Sequence, residues 1–194
     1  MRLAVVIALV FTASIALAQA DLWSHVSPQS GPQHLQPATL SDAQLQSVAR
    51  LFRHQRPGDV WECEGSELED VIKGLKFETI PVPGKKDVVL AEAGAGCARG
   101  GQGSNGAMWV IRFDGADGAT PTLLATPREF SGWLFAVLPA TSHGYPDIVL
   151  GWHMGAMETD LSYMRFDGKS YRSVGAATLV ADDEENEKIV PGPR

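Results

Sequence analysis

The sequence predicts a mainly β chain with N-terminal helices, an α+β fold built as an antiparallel β-sandwich or a strongly curved sheet around a duplicated hairpin. Three observations carry this. From Lys76 onward, short β-branched and aromatic runs are separated by Gly, Pro and Asp, the texture of an antiparallel β-domain. The run Trp133-Leu134-Phe135-Ala136-Val137-Leu138 has no polar alternate, which suits a strand covered on both faces. One strand pair also occurs twice: Asp87-Val88-Val89-Leu90 with Arg112-Phe113-Asp114-Gly115, and Asp147-Ile148-Val149-Leu150 with Arg165-Phe166-Asp167-Gly168. The second members match at four consecutive residues, and each Asp-Gly is turn chemistry that ends a strand.

In chain order, Arg2, an apolar run from Leu3 to Leu17 and Ala18-Gln19-Ala20 form the three regions of a secretory signal peptide over 1–20. Residues 21–38 carry Pro28, Gly31, Pro32 and Pro37 among Gln and Ser with no hydrophobic period, and read as a mobile leader. A helix is expected from Asp42 to His54. Ser41 and Gln44 make a capping box, Leu40 and Leu45 a hydrophobic staple, and Leu45, Val48, Ala49 and Phe52 one apolar face. Arg50, Arg53 and His54 sit where the helix dipole favours positive charge, and Pro57-Gly58 ends the run. Ser66 and Glu69 start a second helix over 67–73. Strands follow near 76–82, 87–92, 107–113, 121–125, 132–138, 146–152, 159–166 and 170–174. The single domain is therefore 39–180. The acidic run through Asp182, Asp183, Glu184, Glu185 and Glu187 makes 181–194 a disordered tail.

Charge and cysteine content narrow the function classes. The chain carries −7, and loss of Arg2 with the signal makes the exported protein one unit more negative. Such a surface repels phosphate backbones and anionic lipid, so nucleic acid is not an expected partner. Beyond the signal, no apolar run is long enough to span a membrane. Two cysteines in an exported chain, Cys63 and Cys97, read as one disulfide that would contribute about 3–4 kcal/mol on the chain-entropy model.

Gly144-Tyr145-Pro146-Asp147-Ile148-Val149-Leu150-Gly151, continuing to Tyr163-Met164-Arg165-Phe166-Asp167-Gly168-Lys169-Ser170-Tyr171, resembles the strand motif of FG-GAP or VCBS-type repeats. It is also similar to small, uncharacterised secreted bacterial proteins that carry this hairpin near the C-terminus. The resemblance covers 107–174 and implies a β-hairpin repeat. In FG-GAP repeats an acidic calcium loop precedes the strand. Here Thr141-Ser142-His143-Gly144 stands there without carboxylates, so calcium loses its ligands and no metal is expected.

Two segments hold the candidate site residues. The Gly-rich stretch 94–106 lacks the Gly-Lys-Ser/Thr of a phosphate loop and the glycine spacing of a nucleophile elbow. It reads as an inter-strand loop anchored by Cys97, or as a partner-binding loop presenting Arg99, Ser104 and Asn105. The second, 152–160, joins the later strand pair and gathers Trp152, His153, Glu158 and Asp160, residue types that suit an acid–base site or a weak metal site, although only one histidine lies there and no second His or Cys stands at ligand spacing. No Ser-His-Asp set has a supporting motif, so no catalytic residue is assigned. No cofactor is expected either. The expected function is a secreted or periplasmic, non-enzymatic binding or accessory module with a protein or glycan partner. Its sharper form is a lysozyme inhibitor that inserts the Ser104-Asn105-Gly106 loop into an enzyme cleft. The rival is a small extracytoplasmic hydrolase or carbohydrate-active enzyme that uses Glu158, Asp160 and Trp152.

Overall fold

The computed structural model describes residues 21–31, 33–54, 68–85, 87–93, 106–155, 158–181 and 186–192. The expected signal peptide, the Cys63–Cys97 bridge, and Arg99, Ser104 and Asn105 all lie outside these residues. The described residues are mainly β: ten strands, all paired antiparallel, with two α-helices beyond residue 40, a 3-10 turn at Pro28–Ser30 and a helical turn over residues 21–23. The helices are α1 (Asp42–His54) and α2 (Leu68–Gly74). The strands are β1 (Gln36–Pro37), β2 (Lys76–Thr79), β3 (Val88–Glu92), β4 (Gly106–Asp114), β5 (Thr120–Ala125), β6 (Ser131–Ser142), β7 (Tyr145–His153), β8 (Glu158–Phe166), β9 (Tyr171–Ala181) and β10 (Glu187–Pro191). No described helix is long and apolar enough to cross a membrane.

One hydrogen-bonded path runs β1-β2-β3-β4-β6-β7-β8-β9-β10, with β5 beside the C-terminal half of β4. The sheet is not closed. Strand β6 touches β4 at two positions only, Gly106 with Gly132 and Ala107 with Ser131. Beyond these pairs the sheet folds on itself. One half presents Ile80, Val88, Leu90, Met108 and Val110, and the other Leu134, Ile148, Leu150, Met164 and Phe166, to one shared core. The fold-over depends on Gly132: its φ is +103°, and a Cβ there would lie 2.0 Å from the Gly151 carbonyl oxygen.

Helices cover the outer face of the first half. Val48 and Phe52 of α1 and Val71 of α2 pack on Val89, Trp109, Ile111 and Phe113. The capping box forms as its residue types require: Ser41 N donates to Gln44 Oε1 at 2.9 Å, and Gln44 N to Ser41 Oγ at 3.3 Å. Leu45 departs from the expected apolar face and is 42% exposed, while Leu40 packs against the helix–sheet core. The first turn of α1 lies over the β4–β5 turn, where Gln44 Nε2 donates to Gly118 O at 3.0 Å. Arg53 joins the helices through a bidentate pair with Glu69, at 2.7 and 2.8 Å.

The outer face of the second half is covered by Leu22, Trp23 and Val26, while Gln36–Pro37 pair with β2 of the first half, so the described part of 21–38 packs where a mobile leader was expected. Trp23 and Val26 are 4% and 6% exposed against Phe135, Val149, Leu161, Tyr163 and Ala177, and Trp23 meets the Tyr163 ring edge-on at 5.6 Å. Gln33 then locks the segment down: its N donates to Leu134 O at 3.0 Å and its Oε1 accepts from Val137 N at 2.6 Å. A segment made of a helical turn, a 3-10 turn and a two-residue strand has no piece long enough to show a period, yet an apolar sheet face must be covered.

The expected tail is corrected in the same way. Strand β10 pairs with β9 from Glu187 opposite Ala181 to Pro191 opposite Ala177, and Ile189 packs on the outer core. The unpaired backbone groups of a β9 edge favour such pairing over a solvated chain.

The duplicated hairpin appears as β3–β4 in one half and β7–β8 in the other. Val88 and Ile148 both enter the shared core, as do Leu90 and Leu150. The registers differ by one residue, because Val88 faces Arg112 whereas Ile148 faces Met164. Arg112 therefore lies on the inner face and Arg165 on the outer, opposite Asp147.

If the N-terminal segment is anchored as described, Trp23→Ala should destabilise the chain by about 3 kcal/mol, the lower part of the range for buried Trp truncation. Urea unfolding followed by circular dichroism measures this. A change within about 0.5 kcal/mol, typical of a surface site, would mean that the segment does not pack.

Candidate functional site

Strand pairing divides the expected 152–160 cluster between two faces. Trp152 lies opposite Asp160, and His153 opposite Thr159. Neighbours along a strand point to opposite faces, so His153 belongs with Thr159 on the outer side. There its ring meets Trp133 at 5.5 Å, and Nδ1 lies 3.4 Å from Thr159 Oγ1. Trp152, Asp160 and, two residues before it, Glu158 belong to the inner face. The main chain closes the connection, with Met154 N donating to Glu158 O at 3.2 Å. An acid–base site combining His153 with these carboxylates is not assembled.

The inner face at this end lies beyond the shared core, and its described side chains are exposed or half-buried. Asp160 pairs across with Thr178, whose Oγ1 donates to Asp160 Oδ1 at 3.4 Å, and Val190 lies opposite Thr178 on β10. Glu158 and Asp160 are exposed, Trp152 is half-buried, and Val190 is 45% exposed. An indole, two carboxylates, a hydroxyl and a valine thus share one open surface.

A second polar assembly lies at the opposite end of β7. The Pro83-Gly84 turn, with φ +73° at Gly84, brings Lys85 back across from Val82, and the His143-Gly144 turn, with φ +52° and +78°, starts β7 at Tyr145. Lys85 Nζ and Arg112 Nη1 both donate to the Tyr145 hydroxyl, at 2.8 and 3.0 Å. Arg112 also grips Asp114, at 2.8 Å from both Nε and Nη2, and Thr122 Oγ1 donates to the same carboxylate at 2.9 Å. These contacts frame a cleft of about 490 Å³ bordered by Lys85, Asp87, Arg112 and Asp114. The Arg112 guanidinium holds the Asp114 carboxyl below its ordinary range.

Behind the cleft the aromatic rings continue: Tyr145 to Phe166 at 4.3 Å, Phe166 to Tyr171 at 5.5 Å, and Tyr171 to Phe130 at 5.4 Å. Two further polar groups are buried beside them. Asp147, 1% exposed, accepts from Tyr163 at 3.1 Å and Arg165 at 2.8 Å, and the Tyr171 hydroxyl donates to Pro146 O at 3.0 Å. Residue types alone do not mark Lys85, Arg112 or Tyr145 as a site; the sequence signals are the repeated Arg-Phe-Asp-Gly for Arg112, the Gly-Tyr-Pro-Asp motif for Tyr145 and the adjacent Pro83-Gly84 for Lys85. Among the described residues, no group of three or more His, Cys, Asp or Glu could hold a metal ion.

The chain has three tyrosines, and the fold pushes them apart. Burial alone raises the Tyr145 phenol, but hydrogen bonds from Arg112 and Lys85 outweigh it and the net shift is downward. Burial and the Asp147 charge push Tyr163 up to about 12, and burial likewise raises Tyr171. A phenol raised by folding contributes stability below its unfolded value near 10 that is lost as pH climbs through its folded value. The lowered Tyr145 acts in the opposite sense, adding stability at alkaline pH. Two against one, the fold should weaken above about pH 10. Phenolate absorbance should show one tyrosine ionising before the other two, and Tyr145→Phe should remove that first step. Three tyrosines titrating together at the ordinary value would exclude the described hydrogen bonds.

Compared with known proteins, the chain matches no family model, no curated protein and no solved structure.

Proposed function

We propose that this chain acts outside the cytoplasm as a non-enzymatic binding module that holds a glycan on the inner face of β7–β10 around Trp152. The observation that carries the reading is the cross-strand pair Trp152–Asp160, with Glu158 and Thr178 on the same face. An indole supplies a flat apolar platform for the C–H face of a sugar ring, and carboxylates accept hydrogen bonds from its hydroxyls. The export reading rests on Arg2, the apolar run 3–17 and Ala18-Gln19-Ala20. In this account the FG-GAP-like hairpin is scaffold, because Thr141-Ser142-His143-Gly144 contributes a tight turn in place of an acidic loop. Hydrolysis is the poorer alternative, since the imidazole nearest these carboxylates faces the other side of the sheet.

Retardation in gels containing soluble polysaccharides, with pull-down on insoluble ones including peptidoglycan, tests the reading. Wild-type chain should be retained, and Trp152→Ala should weaken binding at least about tenfold, the scale of losing one aromatic anchor. Retention by no glycan, or retention unchanged in the variant, would overturn it.

A protein partner is the second reading. It is favoured by the −7 charge and by the Gly-rich connection between β3 and β4, which would present Ser104 and Asn105 to a basic enzyme. Turbidity assays with several lysozymes should then show inhibition at micromolar protein, and activity untouched in all of them would retire this version.

A further inference from the structure

We infer that the cleft at the Lys85–Asp87 end is a second binding site, for a small zwitterion carrying one carboxylate and one ammonium group, such as an α-amino acid or a dipeptide. The site is independent of the glycan face. Tyr145 and Trp152 are seven residues apart along extended β7, which is roughly 23 Å.

The charged groups that border the cleft differ in how far the protein itself satisfies them. Arg112 and Asp114 neutralise each other through a two-contact pair, with Thr122 and Tyr145 taking up further polar capacity on each. This pair is committed to the wall of the cleft. Lys85 differs: an ammonium has three N–H donors, and one is directed at Tyr145. That bond orients the ammonium and leaves its other N–H donors to face the cleft. Asp87 borders the same cleft, and its main chain is fixed by Phe113 N donating to its carbonyl at 2.8 Å.

A cation and a carboxylate therefore border a cavity of about 490 Å³, within the usual range for small-ligand sites. A simple anion would satisfy Lys85 and crowd Asp87 and Asp114, and a simple cation would do the reverse. A molecule with both charges satisfies both walls. Rigidity favours binding as well, since the Pro83-Gly84 turn and the Tyr145 hydroxyl hold Lys85 in place before a ligand arrives.

Titration calorimetry of the exported chain with alanine, glutamate and alanyl-alanine, against acetate and methylammonium, tests the inference. At least one zwitterion should bind at least tenfold more tightly than either single-charge compound. Lys85→Met should weaken that binding at least tenfold, Asp87→Asn should do so as well, and Trp152→Ala should leave it unchanged. Lys85 lies in a surface turn, and if its variant does not fold, Asp87→Asn decides alone. Acetate binding as tightly as every zwitterion, no binding by any of them, or full binding in a folded variant would overturn the inference, whatever the outcome for glycans.

Discussion

A single antiparallel sheet folded over one shared apolar layer is the constraint from which the other features follow. Strand β4 gives its N-terminal end to β6 and the rest of the same edge to β5, so the two partners diverge and the sheet must bend between them. Bending brings Val88, Leu90 and Val110 against Ile148, Leu150 and Met164, and burying these side chains is what closes the structure. The crossing requires glycine at 132, where a Cβ would enter the Gly151 carbonyl, and Gly151 in turn receives the Trp133 ring. A sheet buried inside by its own other half still needs cover outside. Two helices serve one half, and a short N-terminal segment anchored by Trp23 serves the other.

Much of this architecture is legible in the sequence wherever one residue type has one local role. Ser41 and Gln44 form the cap that their spacing implies, and both Asp-Gly pairs end strands with positive φ at Gly115 and Gly168. The apolar run from Trp133 to Leu138 is covered on both faces, with Leu134 in the shared core and Phe135 under Trp23. Legibility fails where a segment takes its order from the surface beside it. Residues 21–38 and 187–191 carry few apolar residues, and their order depends on the surfaces that they meet. Composition describes a segment's own tendencies and not the unpaired edge or bare face waiting beside it.

The sites follow the same division. Trp152, Glu158 and Asp160 share a face because strand alternation puts residues i and i+2 together, while pairing places 152 against 160. His153 was drawn into the same group by proximity in sequence, and a one-residue step along the strand sends it to the other side. The Lys85–Tyr145–Arg112 assembly lies beyond sequence reading for another reason: its hydrogen bonds join residues 60 and 33 positions apart, across the fold-over. No spacing rule reaches that far.

The one-residue register difference between the duplicated hairpins explains how similar sequences came to serve different ends. In β7–β8 the arginine of the repeat faces outward and satisfies Asp147, a carboxylate 1% exposed that also accepts from Tyr163. A buried carboxylate without such donors would be costly, so Arg165 is committed to stability. In β3–β4 the equivalent Arg112 faces inward at the end of the apolar layer, where it meets Tyr145 from the other half and Asp114 on its own strand. Asp87, the counterpart of Asp147, is thereby released from the arginine and left at the border of a cleft. The copy whose charges are consumed internally supports the fold, and the copy whose register slipped keeps a carboxylate and a lysine facing a cavity. Duplication supplied the scaffold, and the slip of one residue separated a structural arginine from one that helps to build a binding site.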